Sequence, residues 1–325
     1  MWIRMWWCLL ATTVLTALTA CGAGEHQEVG PDSFAFGVFG DGPYYGWEKG
    51  RYERLLEDVD AGDLEWFLHV GDLFWHPCTE EAYRERRDAL DALRHPVFYT
   101  PGDNEWTDCH EERPGGWEPL GRLALLRSVF FEEPGMSLGG GRMAVETQSA
   151  DPAFSEFVEN VRWRFGGFVF ATMHVVGSEN GLNEFAGRGP EHDAEVARRT
   201  SAALAWMDAT FEVAAVKGAR GVVLAIHGNP GLERDGSMGR GFDRFVDGLE
   251  DRVKAFVGPV VLIHGDSHTQ RLDQPLRDRV TGRVLENFTR IESFGSPDIG
   301  WTKIVVDTVT GAISHEPRLM RAWPL

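Results

Sequence analysis

One event recurs along this chain: an apolar run that stops at Gly-Asp. FAFGVFG runs into Asp41, LEWFLHVG into Asp72 and PVFYTPG into Asp103. A fourth run, VVLIHG, stops at Asp266, whereas Gly62-Asp63 precedes an apolar run and reads as a turn. Gly-Asp is ordinary turn chemistry, glycine for positive φ and aspartate for local backbone bonds. Four pairs at the ends of strand-like runs constrain the fold further. Helical patterns over 50–59 and 80–93 separate the first three runs, and strands alternating with helices predict a parallel α/β core. Ligands of such sheets bind outside the carboxyl ends of the strands. Asp41, Asp72, Asp103 and Asp266 are therefore expected on one rim.

Two histidines join that rim, His227 from AIHG and His268 from GDSH. Turns need no histidine, and carboxylates gathered with imidazoles suit a divalent cation. The net charge of −18 fits a chain rich in hard oxygen donors and argues against a surface that coats nucleic acid, which would be basic. At 325 residues with 43% hydrophobic residues, the chain can bury a large core.

The second half reads differently. VRWRFGGFVFATMHVVG (161–177) predicts two strands around Gly166-Gly167. A long amphipathic helix is expected over 191–217, a strand over 221–228, a helix over 242–256 and a strand over 259–265. Strand-like runs, TKIVVDTV among them, fill 289–317. A helix is also expected over 118–131. No Pro/Ser-rich linker interrupts 34–325, so this stretch is read as one domain with mixed sheets.

The amino terminus reads as targeting. Residues 1–20 combine Arg4, an apolar stretch from Trp6 and small residues before Cys21, the shape of a secretory signal. The apolar run is short for a bilayer span, which needs about 20 residues. The Leu-Thr-Ala-Cys ending resembles a bacterial lipoprotein signal, which implies lipidation of Cys21 and anchoring to a membrane. Gly22 after that cysteine points to the outer membrane or cell surface. Residues 21–33 read as a flexible tether.

In order, Asp41, VGDLFW, PGDNEW, AIHGNP and IHGDSH resemble the motif series of the calcineurin-like metallophosphoesterase superfamily, as a divergent member distantly similar to purple acid phosphatases. The resemblance spans most of the mature chain. It implies a four-layer α/β/β/α sandwich with two mixed sheets, and metal-dependent hydrolysis of a phosphomonoester or phosphodiester at a dinuclear site. It assigns Asp41, Asp72 and His268 to a first metal and Asp103, His227 and Asp266 to a second, with Asp72 bridging. The chain departs from the pattern at Pro43, where a histidine is usual, and at Trp75, where purple acid phosphatases have a tyrosine. Asp103 replaces an asparagine, Asn104 a histidine and Asp266 a histidine. Carboxylates in these places favour Mn, Mg or Ca over Zn or Fe. Asn104 stands where the family places a group acting on the leaving oxygen, and His174, after a strand end, is the candidate to share that role. His76 and His110 are further candidates to complete the first metal.

Trp75 and Trp106, each three residues beyond a motif aspartate, are candidate substrate-binding walls, because indole faces stack on flat groups. Cys78 and Cys109 lie six residues beyond Asp72 and Asp103. If the two strands are neighbours, their loops run side by side and a disulfide would pin the rim. Two other classes compete: a catalytically weak lipoprotein that binds metal or a phosphorylated ligand on this scaffold, and a serine hydrolase suggested by GMSLG around Ser137. The latter lacks the strand–turn–helix context a nucleophile elbow needs.

Overall fold

The computed structural model describes residues 32–236 and 239–321. The segment read as a signal, Cys21 and most of the tether lie outside the described residues. Among the described residues no helix is long and apolar enough to cross a membrane.

The alternating pattern of the first strand shows how the layers form. In β1 (Ser33–Phe39), Phe34, Phe36 and Val38 point to one side and Ala35 and Phe39 to the other. Successive side chains on a strand face opposite ways, so a strand buried throughout must be covered on both faces. β1 pairs in parallel with β2 (Phe67–His69), and β2 with β3 (Val97–Tyr99). β11 (Gly300–Asp307) lies antiparallel on the other side of β1, and β12 (Ile313–Leu319) closes the edge. The resulting sheet has the order β12-β11-β1-β2-β3.

The hairpin at Gly166-Gly167 joins β5 (Val161–Phe165) to β6 (Phe168–Thr172). β6 continues in parallel to β7 (Gly221–Ala225), β8 (Val260–His264) and β10 (Phe288–Glu292). Two short strands, β4 (Glu146–Thr147) and β9 (Arg271–Asp273), form the edges of a seven-stranded sheet. Both sheets are mixed.

Three apolar layers hold these sheets. The central one packs sheet on sheet through Phe36, Trp66, Phe98, Trp163, Phe170, Val223 and Ile263. Its aromatics interlock, with Phe98 and Trp163 stacked at 3.7 Å between centroids. An outer layer buries Leu55, Leu90 and Leu126 of helices Lys49–Ala61, Glu80–Asp91 and Pro119–Phe130 against the first sheet. The other buries Met207, Phe211, Val246 and Leu249 of helices Pro190–Lys217 and Asp243–Ala255 against the second. Helices, sheet, sheet and helices make the expected four-layer α/β/β/α sandwich. The parallel strands β1, β2, β3, β7 and β8 each end in a loop that carries a candidate site residue.

Candidate metal centre

The strand ends converge as the Gly-Asp pairs imply. Donor atoms of Asp41, Asp72 and His227 lie within 4.8 Å of one another, and so do those of Asp103, His227 and Asp266. Asp41 and His227 are fully buried, and Asp72, Asp103 and Asp266 have little exposure. His227 stands in both groups, with Nε2 2.7 Å from Asp103 Oδ1 and 3.4 Å from Asp72 Oδ1. His268 lies at the open side, Nε2 3.7 Å from Asp41 Oδ1.

The histidine tautomers suit metal binding. His227 Nδ1 lies 2.7 Å from the Val70 carbonyl and His268 Nδ1 2.6 Å from the Ser296 carbonyl. Carbonyls only accept, so both Nδ1 atoms carry hydrogen and both Nε2 atoms face the carboxylates as potential donors to a cation.

The backbone is strained where the donors sit. Asp41, Asp72, Asp266 and His268 have φ of 58°, 54°, 75° and 59°, the left-handed region that costs an L-residue energy. A strand continuing normally would point successive side chains to opposite faces; these turns aim them into one cluster. Close approach is also built in. A Cβ on Gly177 would stand 2.5 Å from Asp103 Oδ1 and 2.6 Å from Asp266 Oδ1. Three left-handed residues follow it, Ser178, Glu179 and Asn180, and Arg199 grips the carbonyl of Asn180 at 2.8 Å.

Neighbouring groups orient the donors. Glu105 accepts backbone N–H bonds from Asp72 at 3.2 Å, Leu73 at 2.5 Å and Gly102 at 2.9 Å. It locks the second and third motif loops together. Ser178 Oγ lies 3.0 Å from Asp103 Oδ2, and Asn229 N donates to Asp266 Oδ2 at 2.8 Å. Cys78 and Cys109 form a disulfide with Cα atoms 5.8 Å apart, and the two sulfurs lie 3.4 and 3.5 Å from the Asn104 carbonyl. The bridge therefore sits directly behind Asn104, whose own N–H donates to Asp72 Oδ1 at 3.0 Å.

The electrostatics are those of a site short of positive charge. Every ion-pair partner of Asp41, Asp72 and Asp103 found among the described residues is a histidine. Burial pushes Asp41 up to about 7 and Asp266 up to about 6. Burial raises Asp72 well above the carboxylate range, helped by the negative charges of Asp103, Glu105 and Asp41. Burial also opposes charge on Asp103, but the hydrogen bond and charge of His227 outweigh it and hold the carboxyl low. Burial disfavours charge on His227 too; Asp72, Asp103 and Asp41 overcome that and hold the imidazole well above its usual range. The donor set fits a divalent cation: hard oxygens, two oriented imidazoles and a surplus of buried negative charge.

An open cavity of about 530 Å³ lies over the cluster, lined by Tyr44, Tyr45, Asp72, Trp75, Asp103, Asn104, Asp266, His268, Ser296 and Pro297. Trp75 and Asn104 thus face the space where a substrate would sit. Trp106 does not. It is 2% exposed, packed edge-on to His174 at 5.5 Å, with Arg199 over its face at 5.2 Å. His174 is also withdrawn, fully buried with Nδ1 2.7 Å from Glu159 Oε1. Glu159 is held in turn by Arg127 at 2.6 Å. Neither residue lines this cavity: Trp106 packs behind the site, and His174 sits in a buried hydrogen-bonded chain with Glu159 and Arg127. His76 and His110 pack on Trp75 and Phe185. Ser137 is buried in the 135–145 loop, where its hydroxyl donates to the Leu138 carbonyl at 3.0 Å.

The residue that sequence reasoning missed is Tyr44. Its hydroxyl donates to Asp72 Oδ2 at 2.6 Å and lies 3.5 Å from His268 Nε2. Burial and the charge of Asp72 raise its pKa well above the usual phenol range, which keeps it a donor. The only signal was position: three residues beyond Asp41, past a turn. Glu48 fixes this loop, accepting from the N–H of Tyr44 at 2.7 Å and from Ser296 Oγ at 2.6 Å.

No protein-family model and no curated protein sequence matches the chain. Solved structures do. PhoD aligns with a TM-score of 0.51 at 12% identity, covering 90% of this chain and 72% of that one. TT1561 of Thermus thermophilus aligns at 0.47 and 13%, covering 89% of this chain and 99% of that one. A phosphatase from Mycoplasma pneumoniae aligns at 0.43 and 10%, covering 88% and 94%. At these identities the likeness to PhoD establishes a shared fold, and function rests on the site itself.

Proposed function

We propose that the chain is a metal-dependent phosphoric ester hydrolase, acting on a phosphomonoester or phosphodiester at a pair of divalent cations, with Mn, Mg or Ca favoured. The carrying observation is the donor set: buried Asp41, Asp72 and Asp103 and half-buried Asp266 with His227 and His268, each imidazole presenting Nε2 after committing Nδ1 to a carbonyl. Divalent cations bound there would neutralise phosphoryl charge and make water a usable nucleophile near neutral pH. Asp41 and Asp72 would hold one cation and Asp103 and Asp266 the other, with His227 between the groups and His268 on the open side. Asp72 is kept in place by Tyr44, by the N–H of Asn104 and by Glu105 on its backbone. The Asn104 amide faces the cavity and can donate to a phosphoryl oxygen, yet it cannot transfer a proton. The leaving oxygen therefore takes its proton from solvent through the open cavity.

That same amide motivates the alternative, a protein that binds metal or a phosphorylated ligand without turnover. One experiment separates them: hydrolysis of p-nitrophenyl phosphate and its bis-ester with added Mn²⁺. Turnover abolished by Asp72→Ala and His227→Ala supports the hydrolase. Inertness across metals with both esters, in a protein that nonetheless binds metal, supports the alternative. We further propose that the mature chain is exported and held at a bacterial outer membrane or cell surface by lipid on Cys21. Labelling of wild-type but not Cys21→Ser protein by a radioactive fatty acid tests this.

A further inference from the structure

The cavity has a second wall, made of aromatic rings. Tyr45 and Trp75 line it, and Trp47 extends the strip outward. Tyr45 is 42% exposed and Trp47 61%. Their rings lie 5.7 Å apart and nearly parallel, at 9°. Trp75 meets Tyr45 edge-on at 5.8 Å. Arg113 lies 4.7 Å over the Trp75 ring and Arg51 4.8 Å over that of Trp47. Single exposed aromatics are common on protein surfaces. Three large rings in contact, at the mouth of a carboxylate-floored cavity and flanked by two arginines in a chain of net charge −18, form a built surface.

The distances limit what fits. Tyr45 is the residue after Tyr44, whose hydroxyl touches Asp72, and consecutive Cα atoms are about 3.8 Å apart. Trp75 is three residues beyond Asp72, a reach of at most about 10 Å. The rings therefore share one cavity with Asp72, Asp103 and Asp266 of the cation cluster. The cavity volume of about 530 Å³ is that of a small-molecule site. Tyrosine and tryptophan faces stack on every base, and the arginines beside the rings add positive charge near them.

We propose that the substrate is a nucleoside phosphate, its phosphoryl group on the cation cluster and its base against Tyr45 and Trp75. This rests on the hydrolase reading for the position of the phosphoryl group. The test compares adenosine 5′-monophosphate with ribose 5-phosphate, which share reacting phosphate and leaving oxygen and differ in the base. With Mn²⁺ and the full chain, kcat/KM is expected to favour the nucleotide roughly ten-fold or more. In Tyr45→Ala and Trp75→Ala the ratio falls toward one, and Tyr45→Phe restores it. Equal kcat/KM in the wild type, or a ratio unmoved by both alanine variants, overturns the proposal. Calorimetric titration of the same two compounds reads binding without turnover. Preferential nucleotide binding, lost in the variants, with no phosphate released, keeps the base site and defeats hydrolysis. Phosphate released from both compounds with equal binding does the reverse.

Discussion

Replacing Gly177 by alanine is a perturbation whose size follows from two distances. The added methyl would stand 2.5 Å from Asp103 Oδ1 and 2.6 Å from Asp266 Oδ1, where a relaxed C···O contact is about 3.3 Å. Each carboxylate must then retreat by roughly 0.7 Å, or the backbone must move by as much. Coordination distances tolerate only about 0.2 Å, so two of the three donors in the Asp103–His227–Asp266 group leave their places. Gly177 is not among the glycines of positive φ, so alanine's cost there is steric contact alone. Disturbing the shell of a metal site typically lowers affinity about 10–100-fold, or about 1.4–2.7 kcal/mol. Calorimetric titration of Mn²⁺ into metal-free protein measures it, with thermal unfolding in EDTA as the control for folding. Wild-type Mn²⁺ affinity in a folded Gly177→Ala protein would refute the reasoning.

Three further outcomes are expected. Tyr44→Phe removes the hydroxyl that donates to Asp72 Oδ2 at 2.6 Å; Mn²⁺ affinity should drop about ten-fold with melting changed only slightly, as calorimetry and thermal unfolding will report. Breaking Cys78–Cys109 by a double serine substitution removes a bridge across a sequence separation of 31; chain entropy predicts a loss of about 3–4 kcal/mol in denaturant unfolding. Without metal, stability should fall as pH rises. Asp41 and Asp266 titrate near 7 and 6 when folded, from an ordinary 3.8, so between those values the unfolded chain holds fewer protons than the folded one. The raised pKa of His227 acts in the same direction, its contribution being lost as pH climbs, whereas the buried histidines His69, His174 and His264, lowered by burial from 6.5, oppose it until about pH 6.5, above which their contribution is complete. Unfolding temperatures in EDTA should therefore decline from about pH 6.5 to pH 8 and flatten when Mn²⁺ is added; a rise with pH over that range would contradict this.

The main elements were legible because their residues are buried on both faces or alternate cleanly. FAFGVFG is the example, its odd and even positions feeding different apolar layers. The rim was legible because Gly-Asp marks the point where a strand gives way to a left-handed turn. The same alternation kept His264 away from the cluster: its Nδ1 lies 2.9 Å from the Gly265 carbonyl and its Nε2 3.9 Å from Glu292. His69 is likewise a core residue, its Nδ1 accepting from Gly71 N at 3.2 Å. What the sequence hid is set by contacts between distant segments. His174 lies two residues past the end of β6, where strand alternation no longer applies, and Glu159 claims it. Arg199, remote in sequence, covers Trp106. Tyr44 reaches Asp72 because the loop beyond Asp41 doubles back, a path that Glu48 enforces and no local pattern announces. The edge strands β4 and β9 are two and three residues long, too short to carry a period.

The central claim is that this cluster holds a pair of divalent cations. Anomalous diffraction at the manganese edge, from crystals grown with Mn²⁺, tests it most directly. The account predicts two peaks, one beside Asp41, Asp72 and His268 and one among Asp103, His227 and Asp266. Crystals with no peak at these residues, or with manganese bound only elsewhere, would contradict it.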